Sequence, residues 1–216
     1  MLRTISLDIS KCIRCGTCCR KGGPVLHHED KQILLKGHIS YQHLMTLRKG
    51  EKVFDPVKEK FENLKVELIK IKNSRDGVSC YFFSENSNSC LIYENRPIEC
   101  RLLKCWDTSD IIRIIGKNTL KRKDIINPDD PVIEIIDSHE RDCPGYETEK
   151  LLSSINLNER EQVLKKLTGI LQKDLSIRKF TFEELKVSMD YELFLFGRSM
   201  TRILKEQGLT LKNSIE

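Results

Sequence analysis

Cys12-Ile13-Arg14-Cys15-Gly16-Thr17-Cys18-Cys19 is the stretch on which the reading of this chain turns. Cysteines three residues apart bring successive thiolates round one loop. Backbone N–H groups there can point at the same sulfurs, which suits iron–sulfur clusters and zinc alike. Gly16 permits the tight turn such a loop needs. The adjacent pair Cys18 and Cys19 is awkward for one small site, because neighbouring side chains diverge, to opposite faces in an extended chain and by roughly 100° in a helix. Either one of the two binds while the other packs or reacts, or the two serve neighbouring sites.

Further along the chain, Cys80, Cys90, Cys100 and Cys143 supply four more candidate ligands. Together with Cys12, Cys15, Cys18 and Cys19 they make eight, enough for two tetrathiolate sites. Cys143 precedes Pro144, the form of a distant fourth ligand to an iron–sulfur cluster. Cys105 stands apart: in a regular helix from Pro97 to Cys105 it lies about 140° round from Cys100. It is expected as a spare thiol, buried beside Trp106 as a small apolar residue. The odd total of nine cysteines argues against a closed disulfide framework, and in a reducing cytoplasm such a set reads as metal binding. Thiols near a reference pKa of about 8.5 must lose protons to coordinate, and their charges repel unless a cation sits among them. Removal of metal is therefore expected to loosen the first half of the chain and spare the tail. His27, His28, His38, His43 and His139 form no zinc-finger or HExxH pair and are read as surface or hydrogen-bonded histidines. No phosphate loop, dinucleotide-binding glycine pattern or serine-nucleophile elbow occurs.

Composition narrows the classes further. Across 216 residues the hydrophobic share is 39% and the charged share 32%, as in a soluble globular protein. No apolar run approaches the ~20 residues of a membrane-spanning helix. Met1 to Ser10 lacks an apolar core, so a secretory leader is not expected and the cytoplasm is the expected location. The net charge of +5 is dispersed, and the densest basic run, Lys121-Arg122-Lys123, is too short to suggest nucleic-acid binding.

Local patterns predict an α+β fold. Thr4–Ile9 reads as a strand, Glu29–Leu35 and Ser40–Leu47 as short helices, and Val66–Lys72 as a strand. Val78–Phe83 and Cys90–Tyr93 flank a turn-forming run and predict a hairpin. In it Cys80 and Cys90 share a face only if paired residue numbers sum to an even value. Pro97 opens a helix to about Cys105, Ile111–Ile126 reads as a helix, and Val132–Ile136 as a strand. Asn158 with Glu161 makes a capping box before the stripe Val163, Leu164, Leu167, Ile170, Leu171. Thr181 with Glu184 makes a second, before a helix running to about Gln207 with Gly208 as its stop. The expected organisation is a cysteine-rich metal-binding domain over 1–146, with short helices and a small hairpin, and a helical extension over 147–216 packed on it. The tail's apolar stripes read mainly as core; the extension is also the expected surface for a protein partner.

The run Cys90-Leu91-Ile92-Tyr93-Glu94-Asn95-Arg96-Pro97-Ile98-Glu99-Cys100-Arg101, with the opening C-x-x-C-G-x-C-C and with Cys80, resembles the YkgJ-like cysteine-cluster family of zinc- or iron-chelating domains. The resemblance covers roughly residues 10 to 146, with Cys143-Pro144-Gly145 similar to the family's late cysteine. It implies ligand roles for Cys12, Cys15, Cys18, Cys19, Cys80, Cys90, Cys100 and Cys143. Tyr93, Arg96 and Arg101 match its other motif positions. The two arginines either offset thiolate charge and donate hydrogen bonds to sulfur, or pair with nearby acids. The long insertion between Cys19 and Cys80 and the cysteine-free tail depart from the pattern. The expected cofactor is an iron–sulfur cluster, 4Fe-4S, one or two, serving electron transfer or a partner enzyme, with structural zinc as the alternative. The family includes flagellin lysine methylases, so a protein-modifying enzyme is a third reading, although no separate methyl-donor motif is present.

Overall fold

A computed structural model describes residues 12–155 and 160–209. The strand expected at Thr4–Ile9 and the cap expected at Asn158 lie outside them. In chain order the elements are α1 (Lys31–Leu35), β1 (Leu44–Leu47), β2 (Lys52–Asp55), β3 (Lys60–Asn63), β4 (Leu68–Ile71), β5 (Phe83–Ser84) and β6 (Ser89–Cys90). Helices follow: α2 (Ile98–Leu102), α3 (Ser109–Ile114), α4 (Arg122–Ile125), α5 (Val132–Asp142), α6 (Gly145–Ser154), α7 (Arg160–Lys179), α8 (Glu192–Phe196) and α9 (Met200–Glu206). This is the α+β architecture read from the sequence, with antiparallel strand pairs β2–β3 and β5–β6 and a helical C-terminal region. Among the described residues no helix is long and apolar enough to cross a membrane.

The chain folds into two compact units that interleave along the sequence: residues 12–40 with 70–119, and residues 41–69 with 120–209. The division expected at residue 146 follows the cysteines along the chain; the units follow contacts. In the first unit the buried apolar side chains are few: Leu26, Ile39, Ile71, Cys80, Phe82 and Phe83. An antiparallel bridge between Val25 and Lys70 and the bond from Ile71 N to Pro24 O (2.9 Å) tie its two segments together. The second unit has a conventional helical core, in which Val163, Leu167, Ile170 and Leu171 of α7 meet Leu151 of α6 and Met200, Ile203 and Leu204 of α9. Leu164 of the same stripe remains partly exposed.

Several local expectations are corrected. Ser40–Leu47 forms a 3-10 turn, Tyr41–His43, and then a strand, because Leu44 and Thr46 alternate inward with period two. The Thr46 hydroxyl donates to the Phe194 carbonyl and holds that alternation. Val132–Ile136 is the first part of α5 and not a strand. A short apolar run carries no decisive period. The longer period emerges only when Ile136, His139 and Cys143 are seen buried at helical spacing. Asp130 accepts from Val132 N (2.9 Å), and Pro131 is the N-cap, so the helix starts here. The helix expected over 111–126 is divided into α3 and α4, with Gly116 and Asn118 at positive φ between them.

The hairpin shrinks to two pairs, Phe83 with Cys90 and Ser84 with Ser89; their sums are odd and Cys80 lies outside it, bridged to Asn73. Thr181 is not a cap, because its hydroxyl donates to Ile177 O (2.8 Å) and α7 runs on into a π turn, Phe180–Glu184. Beyond it Ser188 and Ser199 supply the caps. Gly197, at φ +65°, separates α8 from α9, and a Cβ there would stand 2.7 Å from the Thr46 carbonyl oxygen. Gly208, at φ +72°, does follow the end of α9.

Candidate metal centre

The loop 12–18 is fixed by what lies beneath Gly16. At φ +76°, a Cβ there would come 2.6 Å from the Phe83 ring and 2.8 Å from Asn88 Oδ1, so only glycine lets the loop settle on the β5–β6 hairpin. Arg20 secures the contact: its guanidinium donates to Cys15 O (3.2 Å), Glu85 (2.9 Å) and Asn88 (3.0 Å) and lies over the Phe83 ring. Cys80 is drawn in by its backbone N–H, which donates to Cys19 O at 2.7 Å. Cys90 arrives through its pairing with Phe83. Cys100 arrives on α2, whose first turn is clamped from elsewhere in the unit: Asp30 Oδ1 accepts from Ile98 N (2.8 Å), while the Glu99 carboxylate meets Val25 N (2.9 Å) and His27 Nε2 (3.1 Å). Arg14 and Arg96 both stack on Tyr93, at 3.9 and 3.5 Å from its ring centroid.

The thiols brought together this way press on one another. A hydrogen bond with Cys19 lowers the Cys18 thiol to about 6, with the Arg96 charge helping, and the same bond drives Cys19 upward. Burial raises Cys80, Cys90 and Cys100, and charge on Cys18 raises each of them further. Cys15 is lowered by its hydrogen bond with Thr17 (3.2 Å), against some opposition from Cys18. Charge on Cys18 and burial thus both work against charge on the deeper thiols. A cation among them reverses that balance, which is the behaviour of a thiolate metal site. Among the described residues no three of these sulfurs lie within 4.8 Å of one another.

The family comparison bears on metal binding. The CxxCxxCC model, described as "Putative zinc- or iron-chelating domain", matches residues 11–124, more than half of the chain. The chain belongs to the CxxCxxCC family. No curated protein and no solved structure matches it. Membership supports metal binding through the cysteines.

In this CxxCxxCC protein the candidate residues divide by place. Cys18, Cys19, Cys80, Cys90 and Cys100 share one neighbourhood, with Cys15 on its border. Cys12 is exposed on the same loop, its sulfur accepting from Arg14 N at 3.4 Å. Cys143 belongs to the other unit and is fully buried in its helical core. Cys105 is exposed, which corrects the expectation of a buried thiol: α2 ends at Leu102, and Cys105 lies in the turn that Lys104 and Asp107 bridge. Arg96 faces Cys18 and Cys90 electrostatically, whereas Arg101 stands 3.9 Å from Asp30. Sequence reasoning missed Lys70, whose partly buried ammonium donates to Asn73 (3.3 Å) and counters charge on Cys80. It also missed the Asp30–His27–Glu99 clamp. A lysine inside a strand pattern and a polar trio spread over the chain carry no local signature.

Proposed function

We propose that this cysteine group holds an iron–sulfur cluster of the 4Fe-4S kind. Cys18, Cys19, Cys80, Cys90 and Cys100 are the central donors, and Cys12 and Cys15 stand on the adjoining loop. The chain then serves electron transfer, or acts as an accessory to a partner enzyme, in the cytoplasm. The observation that carries the reading is the convergence of five sulfurs, close enough to shift one another's protonation. An all-sulfur donor set suits iron as well. Such a cluster, when bound, takes up and releases single electrons. The chain's own part is to hold the thiols, and to set positive groups, Arg96 and Lys70, against their charge.

A cytoplasmic setting fits nine cysteines with no closed disulfide framework. A partner protein is read onto the helical C-terminal region, where Leu164 and Leu175 are exposed eleven positions apart, on one face of α7. One observation favours zinc instead: Cys18 and Cys19 are hydrogen-bonded sulfur to sulfur, the tight spacing a single ion asks for. Anaerobic purification separates the two. Iron with acid-labile sulfide and a broad band near ~400 nm that dithionite bleaches is the expected result. A colourless protein whose cysteine group carries zinc overturns it.

A further inference from the structure

Inside the second unit, His139, Cys143 and Asp174 place one donor atom each within 4.8 Å of one another, all three side chains being buried. His139 and Cys143 are four positions apart at the end of α5, a spacing that puts both on one helical face. Asp174 faces them from α7.

The hydrogen-bond count there is incomplete. His139 Nε2 lies 2.7 Å from Asp174 Oδ1, but its Nδ1 is buried with no partner. A bare buried acceptor costs about 1–3 kcal/mol, so native structures rarely leave one empty. The Cys143 thiol has only a long contact, 3.6 Å, to the Ile170 carbonyl. Asp174 accepts from His139 and from Arg178 Nε (2.9 Å) on Oδ1, and from Met200 N (3.0 Å) on Oδ2. A carboxylate has about four lone-pair positions, so one remains. Arg178 also bonds Glu192 (2.8 Å), so its charge is shared and does not cancel that of Asp174 alone.

We propose that His139, Cys143 and Asp174 form a second metal site, separate in composition from the cysteine group, that takes one divalent ion of the zinc class. Nitrogen, sulfur and oxygen donors in one buried set are the mixture zinc accepts. Cys143 sits in the core of its own unit beside His139 and Asp174.

The test is zinc analysis and zinc-edge X-ray absorption on the intact full-length chain. Zinc with imidazole nitrogen in its shell is expected. His139→Gln and Cys143→Ser should each remove one zinc per chain, and Cys18→Ser should leave that zinc in place. Both of the first two variants alter the core and risk misfolding, so the absorption spectrum of the unaltered protein decides on its own. No zinc, or zinc with sulfur neighbours only, overturns the second site, whichever metal the cysteine group holds. Absence of iron from the unaltered protein, with this zinc present, would instead count against the cluster reading alone.

Discussion

The first unit gathers groups of one kind and leaves them opposed; the second gathers groups of opposite charge that answer each other. Charge on Cys18 raises Cys80, Cys90 and Cys100, and few apolar side chains are buried around them. In the second unit Arg122, 1% exposed, is bonded to Glu67 and Glu140, and Arg48 binds the same Glu140 at 2.8 Å. The helical unit pairs its buried arginines within the chain, whereas the thiols of the cysteine unit are the groups a bound cation would relieve.

Metal removal is the largest way to break that contrast. A structural ion in a small thiolate site contributes on the order of 10–16 kcal/mol of apparent binding energy, more than most domains' whole stability. Chelation under reducing conditions should therefore strip hydrogen-exchange protection from Cys80 N, Leu91 N and Arg101 N, which close the loops around the cysteines. Amides of the second unit outside the His139–Cys143–Asp174 group, such as Gly50 N and Leu64 N, should keep theirs. Equal loss in both units would mean that the helical unit is no more self-sufficient than the other.

Glu140→Gln attacks the opposite side. It keeps the shape and removes the charge shared by Arg48 and Arg122, so about 3 kcal/mol of stability should be lost at neutral pH. Burial pushes the Glu140 carboxyl up, but bonding to Arg48 and the nearby Arg122 charge outweigh it and hold the group below the ordinary carboxylate value. A depressed value means that its contribution is present above the unfolded pKa, about 4.3, and is lost as pH falls through the folded one. Denaturant melts of wild type and variant should thus lie far apart at pH 7 and converge below about pH 4. Parallel curves would show that the network draws no stability from this charge.

What was legible beforehand was local. The C-x-x-C-G-x-C-C run announces its own loop, because spacing and Gly16 act within a few residues. The periodic α7 was legible for the same reason. Which sulfurs share a neighbourhood depends on long-range bonds such as Cys80 N to Cys19 O and Ile98 N to Asp30 Oδ1, and no pattern along the chain encodes them. Val132–Ile136 was misread because five residues are too few to show a helical period. Cys105 was misplaced because α2 stops after Leu102, with Leu103 already extended at ψ 106°. The interleaving of 41–69 with the C-terminal helices was hidden as well, since it rests on contacts such as Arg122 with Glu67.

Two glycines of the cysteine unit sharpen the comparison at about 1–2 kcal/mol, the cost of forcing a side chain into left-handed backbone. Gly116, at φ +72°, has nothing within 4 Å of a new Cβ, so Gly116→Ala should show that strain and no loss of metal. Gly16→Ala adds a clash with the Phe83 ring, so the loop must lift and metal content should fall as well. Metal analysis beside thermal melts reads both, and equal metal content in the two variants would detach the loop from the site.

The smallest effect belongs to Cys105. Its thiol is exposed on the turn after α2, while Cys90 lies between the strand pairing with Phe83 and the charge of Arg96. Cys90→Ser should lower bound metal sharply, because serine offers no thiolate to the cation that relieves the cluster. Cys105→Ser changes one exposed atom and should leave metal content unaltered and stability within about 0.5 kcal/mol. Metal per chain in the two variants, made side by side without oxygen, measures the difference. If Cys105→Ser lost as much as Cys90→Ser, the donor group would have to extend past the end of α2, and the compact neighbourhood around Cys18 would not be the site.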